Sequence, residues 1–435
     1  MLDTTLATLQ PATAINPAPR LDMIDASADW NKLRILSMLS TRINLNIERV
    51  EHPHVSDPTL LEKGHTAMSR KIRGAYKMVL GIALAIAALQ GEPQAQMGPN
   101  PYRPVGGLQA GEGPGRIGET WAKLPAGREM GSPGGIEIDV DGEHLWAIVR
   151  CGSDGTPRGS QTYCNDSDLD PIIKFSPDGN VATMFGSRMF VWPHGIHVDM
   201  NGNVWVTEAG ESEQPVAAGE EVFGHQVFKF SPQGELLMTL GEAGVSGDGP
   251  NHFNAPSDVI TAPNGDIFVV DGHVTDGNNR IVKFTSDGTF VKAFGETGHG
   301  PGQLYGPHAI AMDSNGRLFV ADRQNQRIVI FDQDGNYLNR WTQFGMPSDI
   351  VIDDNGRVYV ADSESDLTQN PGWEKGIRVG DVETGWVDHF ILDPGDNPPI
   401  TAGGSGAESI TVDRNGSIFS GEPRPQRILK YIKVR

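Results

Sequence analysis

Residues 193–208 read PHGIHVDMNGNVWVTE, and residues 307–322 read PHAIAMDSNGRLFVAD. Apolar residues alternate on both sides of an Asn-Gly turn in each, the strongest short-range signal of a β-hairpin. The same unit, with small variations, recurs six times on the turn glycines Gly142, Gly202, Gly265, Gly316, Gly356 and Gly416. A second hairpin follows in most units, as in IIKFSPDGNVATMFG (172–186), VFKFSPQGELLMTLG (227–241), IVKFTSDGTFVKAFG (281–295) and IVIFDQDGNYLNRWT (328–342). Two hairpins make four short strands in about 40–60 residues, the period of a propeller blade. The pattern predicts an all-β fold, a six-bladed β-propeller over residues 119–435, with an open solenoid as the competing arrangement. The longer units carry inserted loops (Gly152–Asp170, Glu211–Gly224 and Ser363–Lys375) that follow the second strand and would line one face. The last unit stops after QRILKYIKVR (426–435), a third strand. Residues near Thr120–Leu124 are expected to supply its fourth and close the ring, which removes the open edge.

Counting eight residues back from each turn glycine gives Gly134, His194, Ser257, His308, Ser348 and Glu408. Odd units place glycine or serine there; even units place His, His and Glu. In a closed ring of six, alternate units lie about 120° apart around one axis. Two imidazoles and a carboxylate so arranged are a three-ligand metal site that keeps a coordination position open. The divalent metal is expected to be held by His194, His308 and Glu408. His197 and His225 fall outside this register and read as structural or surface residues.

The bulk numbers fit this picture. Fifty-four glycines and thirty prolines in 435 residues suit many short strands and tight turns. A formal charge of -20 argues against nucleic acid, whose phosphates need Lys and Arg. It also disfavours anionic membrane surfaces. The two cysteines, Cys151 and Cys164, bracket a polar loop and are expected to pair in an oxidising compartment. Residues 68–96 place Arg70, Lys71, Arg73 and Lys77 before an apolar run from Met78 to Leu89, followed by small and polar residues. That order is the signature of a secretory signal, and the run is shorter than the roughly 17–25 residues of a membrane span. The expectation is a secreted or periplasmic protein, with membrane contact only if the 78–89 segment is retained. Residues 1–67 read as an extension that precedes the true start, and residues 97–118 as a Gly/Pro-rich linker. A monomer is expected.

The units resemble NHL repeats. From about Gly134 onward the chain resembles peptidyl-α-hydroxyglycine α-amidating lyase, through WPHGIHVDMNGNVWVTEAG, HQVFKFSPQGELLMTLGEAG, NHFNAPSDVI, FVVDGH, NRIVKF, PGQLYGPHAIAM and FVADRQNQRI. The segments with the PHG and PHA histidines are the most specific. The resemblance implies a catalytic zinc held by three histidines on alternate blades. His194 and His308 match two of them, and Glu408 stands at the third, a departure that still leaves a His₂Glu zinc set. A structural calcium is a further expectation. Arg150 and Arg323 match two family arginines, each placed just after a second strand; a guanidinium is the natural fork for a substrate carboxylate. The family's tyrosine base maps near His273, a second departure. The implied activity is cleavage of the N–C bond of an α-hydroxyglycine-type compound to an amide and glyoxylate, on a small-molecule or peptide substrate carrying a carboxylate. The copper oxidase half of the amidating enzyme is absent from this chain.

Two other readings compete. A propeller lactone hydrolase would hold its metal with Glu, Asn and Asp rather than two histidines. A non-catalytic NHL scaffold would need no metal, and a fold alone does not decide function. The acids Glu208, Asp271, Asp322, Asp362 and Glu422 recur after the second strands and read as acceptors of backbone N–H groups that order the loops. The two arginines could instead be ion-pair partners of these acids. No nucleophile elbow, phosphate loop or Cys-His pair is found, so covalent catalysis is not suggested.

Overall fold

A computed structural model of the chain describes residues 100–105, 120–151, 164, 167–211, 222–274, 276–393 and 406–434. The expected extension (1–67) and signal-like segment (68–96) lie outside the described residues. Six four-stranded antiparallel sheets form the six blades. The first strands, in blade order, are Pro133–Ile138, Pro193–Val198, Pro256–Thr261, Pro307–Met312, Pro347–Ile352 and Ser409–Val412. Together they line the central tunnel. Among the described residues no helix is long and apolar enough to cross a membrane.

The repeated turn explains the repeated blade. At five of the six first turns an aspartate opens the bend: Asp139, Asp199, Asp313, Asp353 and Asp413. Its Oδ1 accepts the N–H two residues on, as at Asn201 (2.9 Å) and Asn415 (2.9 Å). The turn glycine's N–H returns to the aspartate carbonyl at 2.7–3.0 Å. All six turn glycines have φ between +73° and +90°, where an L side chain costs about 1–2 kcal/mol. Chemistry at the turn therefore sets the hairpin register, and the register sets which residues face the tunnel.

The core lies in seams between blades. Second strands such as Leu145–Val149 are wholly buried, whereas fourth strands such as Val181–Phe185 alternate exposed residues with half-buried ones and bury only Phe185. Between blades one and two, Phe185 packs on Trp146 (5.7 Å between centroids) and on Phe230 (5.2 Å). The same kind of seam, built from second and third strands, recurs around the ring.

Ring closure differs from the sequence expectation. Tyr102–Pro104, inside the presumed linker, is the fourth strand of blade six, pairing with Arg427–Lys433. Residues 120–124 instead seal the seam between blades six and one. The Trp121 N–H donates to the Ile428 carbonyl (2.7 Å), the Lys123 N–H donates to the Gly179 carbonyl (2.8 Å), and the Trp121 ring packs on Phe419 and Phe175. A three-residue strand between prolines has no periodicity to read, and Pro104 is tolerated because the strand is an edge.

Inside the tunnel three acids from odd blades hold the next blade. Glu137 accepts the Val198 N–H (3.1 Å), Asp258 the Ile310 N–H (2.9 Å) and Asp349 the Ile410 N–H (2.8 Å). These bonds satisfy first-strand donors that have no strand partner on the tunnel side.

Candidate metal centre

The residues at the minus-eight register converge. A β-bulge interrupts pairing between Pro193 and Ile196, and another between Pro307 and Ile310. His194 and His308 sit within these bulges, which re-aim side chains toward the axis. Glu408 sits immediately before the first strand of blade six, with its N–H on the Gly421 carbonyl (2.9 Å). The His194 and His308 rings lie 4.7 Å apart, and His308 Nε2 is 3.4 Å from Glu408 Oε1.

Odd blades orient these ligands. His194 Nδ1 lies 2.7 Å from the Ser257 carbonyl, and His308 Nδ1 lies 2.6 Å from the Ser348 carbonyl. A carbonyl only accepts, so each Nδ1 carries the proton and each Nε2 keeps a lone pair facing the axis. This is the outer-shell arrangement that fixes a metal-binding imidazole. Ser257 and Ser348, which side-chain identity marks as bland, thus act through their backbone. Gly195 makes the approach feasible: a Cβ there would fall 2.5 Å from the Ser257 carbonyl oxygen.

The electrostatics suit a cation. Burial, then the nearby His308 and Arg150, hold His194 well below the usual imidazole range. His308 is lowered by burial and Arg323, against Glu408 and the Ser348 carbonyl. Burial would raise Glu408, but the adjoining His308, Arg323 and His194 outweigh this and hold it below the usual carboxylate range. Neutral imidazoles and an ionised carboxylate are the forms a metal requires. The buried Nε2 of His308 has no hydrogen-bond partner, and a cation at the axis would satisfy it.

His273 joins this cluster. It follows the second strand of blade three by two residues, outside the minus-eight register. Its ring lies 4.4 Å from His194 and 5.0 Å from His308. Its buried Nε2 also lacks a partner. Burial, then the neighbouring His194, His308 and Arg323, hold it well below the usual imidazole range.

The arginines flank the cluster. Arg150 is buried; its Nε donates to the Pro193 carbonyl (3.0 Å) and its guanidinium stacks on Trp192 at 4.4 Å. Trp192, which the register count did not single out, also packs on His194 and His273, at 5.2 Å each. Its only sequence signal was its place before the PHG triplet. Cys151, the residue after Arg150, is disulfide-bonded to Cys164, whose N–H donates to the Val191 carbonyl (2.8 Å). Blade one's arginine is therefore tied to the blade-two segment that carries His194. Arg323 opens a single 3-10 turn, is buried, makes no ion pair among the described residues, and leaves its Nε without a partner.

The five recurrent acids have other partners. Asp271, Asp322, Asp362 and Glu422 pair with Arg280, Arg327, Arg378 and Arg427. Glu208 accepts N–H groups of Val191, Trp192 and Gly210. They order loops, as the sequence suggested. His197 bridges Glu137 and Thr261, and His225 accepts the Ala255 N–H; both are structural.

The NHL repeat family model matches residues 304–331 and 344–365. The chain is 36% identical to human NHL repeat-containing protein 3 over 39% of its own length and 48% of that protein's, so it spans about half of that relative. It is 27% identical to a probable peptidyl-α-hydroxyglycine α-amidating lyase of Caenorhabditis elegans, over 70% of this chain and 83% of that one. Among solved structures, a gluconolactonase from Xanthomonas campestris is similar at 14% identity and a TM-score of 0.48, covering 74% of this chain and 97% of that one.

Proposed function

Because the chain is an NHL-repeat propeller that resembles the peptidyl-α-hydroxyglycine α-amidating lyases, we propose that it is an exported, metal-dependent lyase. It would cleave the N–C bond of an α-hydroxyglycine-type compound. One observation carries the reading: His194, His308 and Glu408 meet on the tunnel axis with lone pairs inward, beside Arg323, whose buried Nε has no partner among the described residues. These three residues would hold a divalent cation, zinc by resemblance. When bound, it polarises the hydroxyl and carboxylate oxygens of the substrate.

The chain's own groups supply the rest. Arg323 takes the substrate carboxylate in a two-pronged charge-assisted bond. Arg150, held by Trp192 and Pro193, adds a second fixed positive charge that costs no reorganisation during reaction. The hydroxyl proton leaves, the C–N electron pair goes to nitrogen, and nitrogen takes a proton; the products are an amide and glyoxylate. The buried Nε2 of His273 has one lone pair, which can serve a proton or the cation. Export is supported by the Cys151–Cys164 disulfide, since such bonds persist outside reducing compartments.

The test is an assay of glyoxylate release from an N-acyl-α-hydroxyglycine, run beside a panel of sugar lactones. Turnover of the hydroxyglycine that is lost on chelation supports the proposal. Lactone hydrolysis without glyoxylate release would replace it with the hydrolase reading, and a metal-free, inactive protein would leave the scaffold.

A further inference from the structure

We infer that His273 is a fourth protein ligand to the cation, giving a three-histidine, one-carboxylate set, and that the cation is five- or six-coordinate. The inference rests on the proposed metal site and deepens it. One donor atom from each of His194, His273, His308 and Glu408 lies within 4.8 Å of all the others. Donors bound to one ion at about 2.1 Å can be no more than about 4.2 Å apart. Only donors on opposite sides of an ion reach that limit, and donors at right angles lie about 3.0 Å apart, so binding draws the four side chains inward by up to about an ångström.

Packing separates a ligand from a base. A general base must reach a substrate hydroxyl at about 2.6–3.2 Å, so substrate atoms lie between it and the ligands. His273 leaves no such gap: its ring is closer to His194 (4.4 Å) than His308 is (4.7 Å). The Nε2 atoms of His273 and His308 are buried and partnerless alike, and one cation between them satisfies both. The backbone presents His273 rigidly. Its N–H donates to the Ala255 carbonyl (3.0 Å). The preceding Gly272 has φ +142°, and a Cβ there would fall on the Asn279 amide.

Four protein ligands would close a tetrahedral zinc and leave no position for substrate. An open position then requires a larger coordination number, to which manganese, iron, cobalt or nickel with imidazole and carboxylate donors is suited. An imidazole committed through Nε2 has no lone pair left for a proton. Glu408 keeps a second carboxylate oxygen, and is the member of the cluster left to accept one.

The full chain, stripped with chelator, would be titrated with cobalt(II) against a competing chelator while its visible spectrum is recorded. Wild type should show the weak absorption of five- or six-coordinate cobalt. His273→Phe keeps the ring packing and removes the nitrogens; His273→Ala removes both. Each should weaken cobalt binding by at least about tenfold, the minimum expected when even an outer-shell partner is lost, while the metal-free melting temperature of His273→Phe stays near wild type. If His194→Ala and Glu408→Ala weaken binding but neither His273 variant does, His273 is not a ligand and the inference is overturned, with the metal site intact. Intense tetrahedral bands in wild type would overturn it equally. If wild type binds no cobalt, or His194→Ala and Glu408→Ala bind as wild type does, the site itself is refuted.

Discussion

Gly195→Ala joins the fold to the chemistry in one methyl group. The added Cβ would fall 2.5 Å from the Ser257 carbonyl oxygen, 2.8 Å from Asp258 Cα and 2.8 Å from Asp258 Oδ1. Two of these are backbone atoms of the next blade, so the blades must part. Overpacking of this kind costs about 1–3 kcal/mol. The displaced carbonyl is the one that holds His194 Nδ1 at 2.7 Å, and losing that bond adds about 1 kcal/mol. The sum is about 2–4 kcal/mol. Loss of the outer-shell partner should also weaken metal binding by about 10–100-fold. The control is Gly202→Ala, at a turn with φ +79°, where a Cβ meets only side-chain atoms at 3.6 and 3.7 Å. Left-handed strain alone costs about 1–2 kcal/mol there, far from the metal. Denaturant unfolding gives the stabilities, and chelator competition gives the metal affinities. Gly195→Ala with unchanged metal affinity would refute the claim that odd-blade carbonyls aim the ligands, whatever its stability.

Three further outcomes are expected. Arg323→Met should lower kcat/KM for a carboxylate substrate by about ten- to 150-fold, the kinetic equivalent of a charged hydrogen bond worth about 1.5–3 kcal/mol, with little effect on the corresponding ester; steady-state kinetics on the pair checks this. Asp349→Ala strands the Ile410 N–H inside the tunnel and should cost about 1–3 kcal/mol in urea unfolding. Burial alone would lower His197, but Glu137 outweighs it and holds it above its ordinary value. The folded state therefore binds the extra proton, so His197 contributes stability below its unfolded pKa and loses it as pH rises through the folded one; urea midpoints measured across that window should fall with pH in wild type and fall less in His197→Gln.

The blades and the ligand register were legible because both rest on side-chain identity at fixed spacing. The six turn glycines mark the hairpins, and counting back from them reaches His194, His308 and Glu408, which the structure brings together. Three features were not legible in the repeat pattern. Tyr102–Pro104 closes the ring with three residues and no alternation, so its pairing depends on the edge it finds. His273 lies in a loop that folds over the axis, where no strand period predicts its reach, and only the family resemblance singled it out. Ser257 and Ser348 act through their carbonyls, which every residue has, so their identity carries no signal. The pairing of Cys151 with Cys164 was read from two cysteines and a polar loop, and it forms. Trp192 was in plain view, but its role depends on Arg150 arriving from another blade.

The most direct test is crystallographic: anomalous diffraction from crystals grown with a divalent first-row metal. The account predicts one strong peak on the propeller axis, about 2.0–2.2 Å from Nε2 of His194, Nε2 of His308 and a carboxylate oxygen of Glu408. A peak held by other residues, or those three side chains ordered around bulk water at saturating metal, would contradict it.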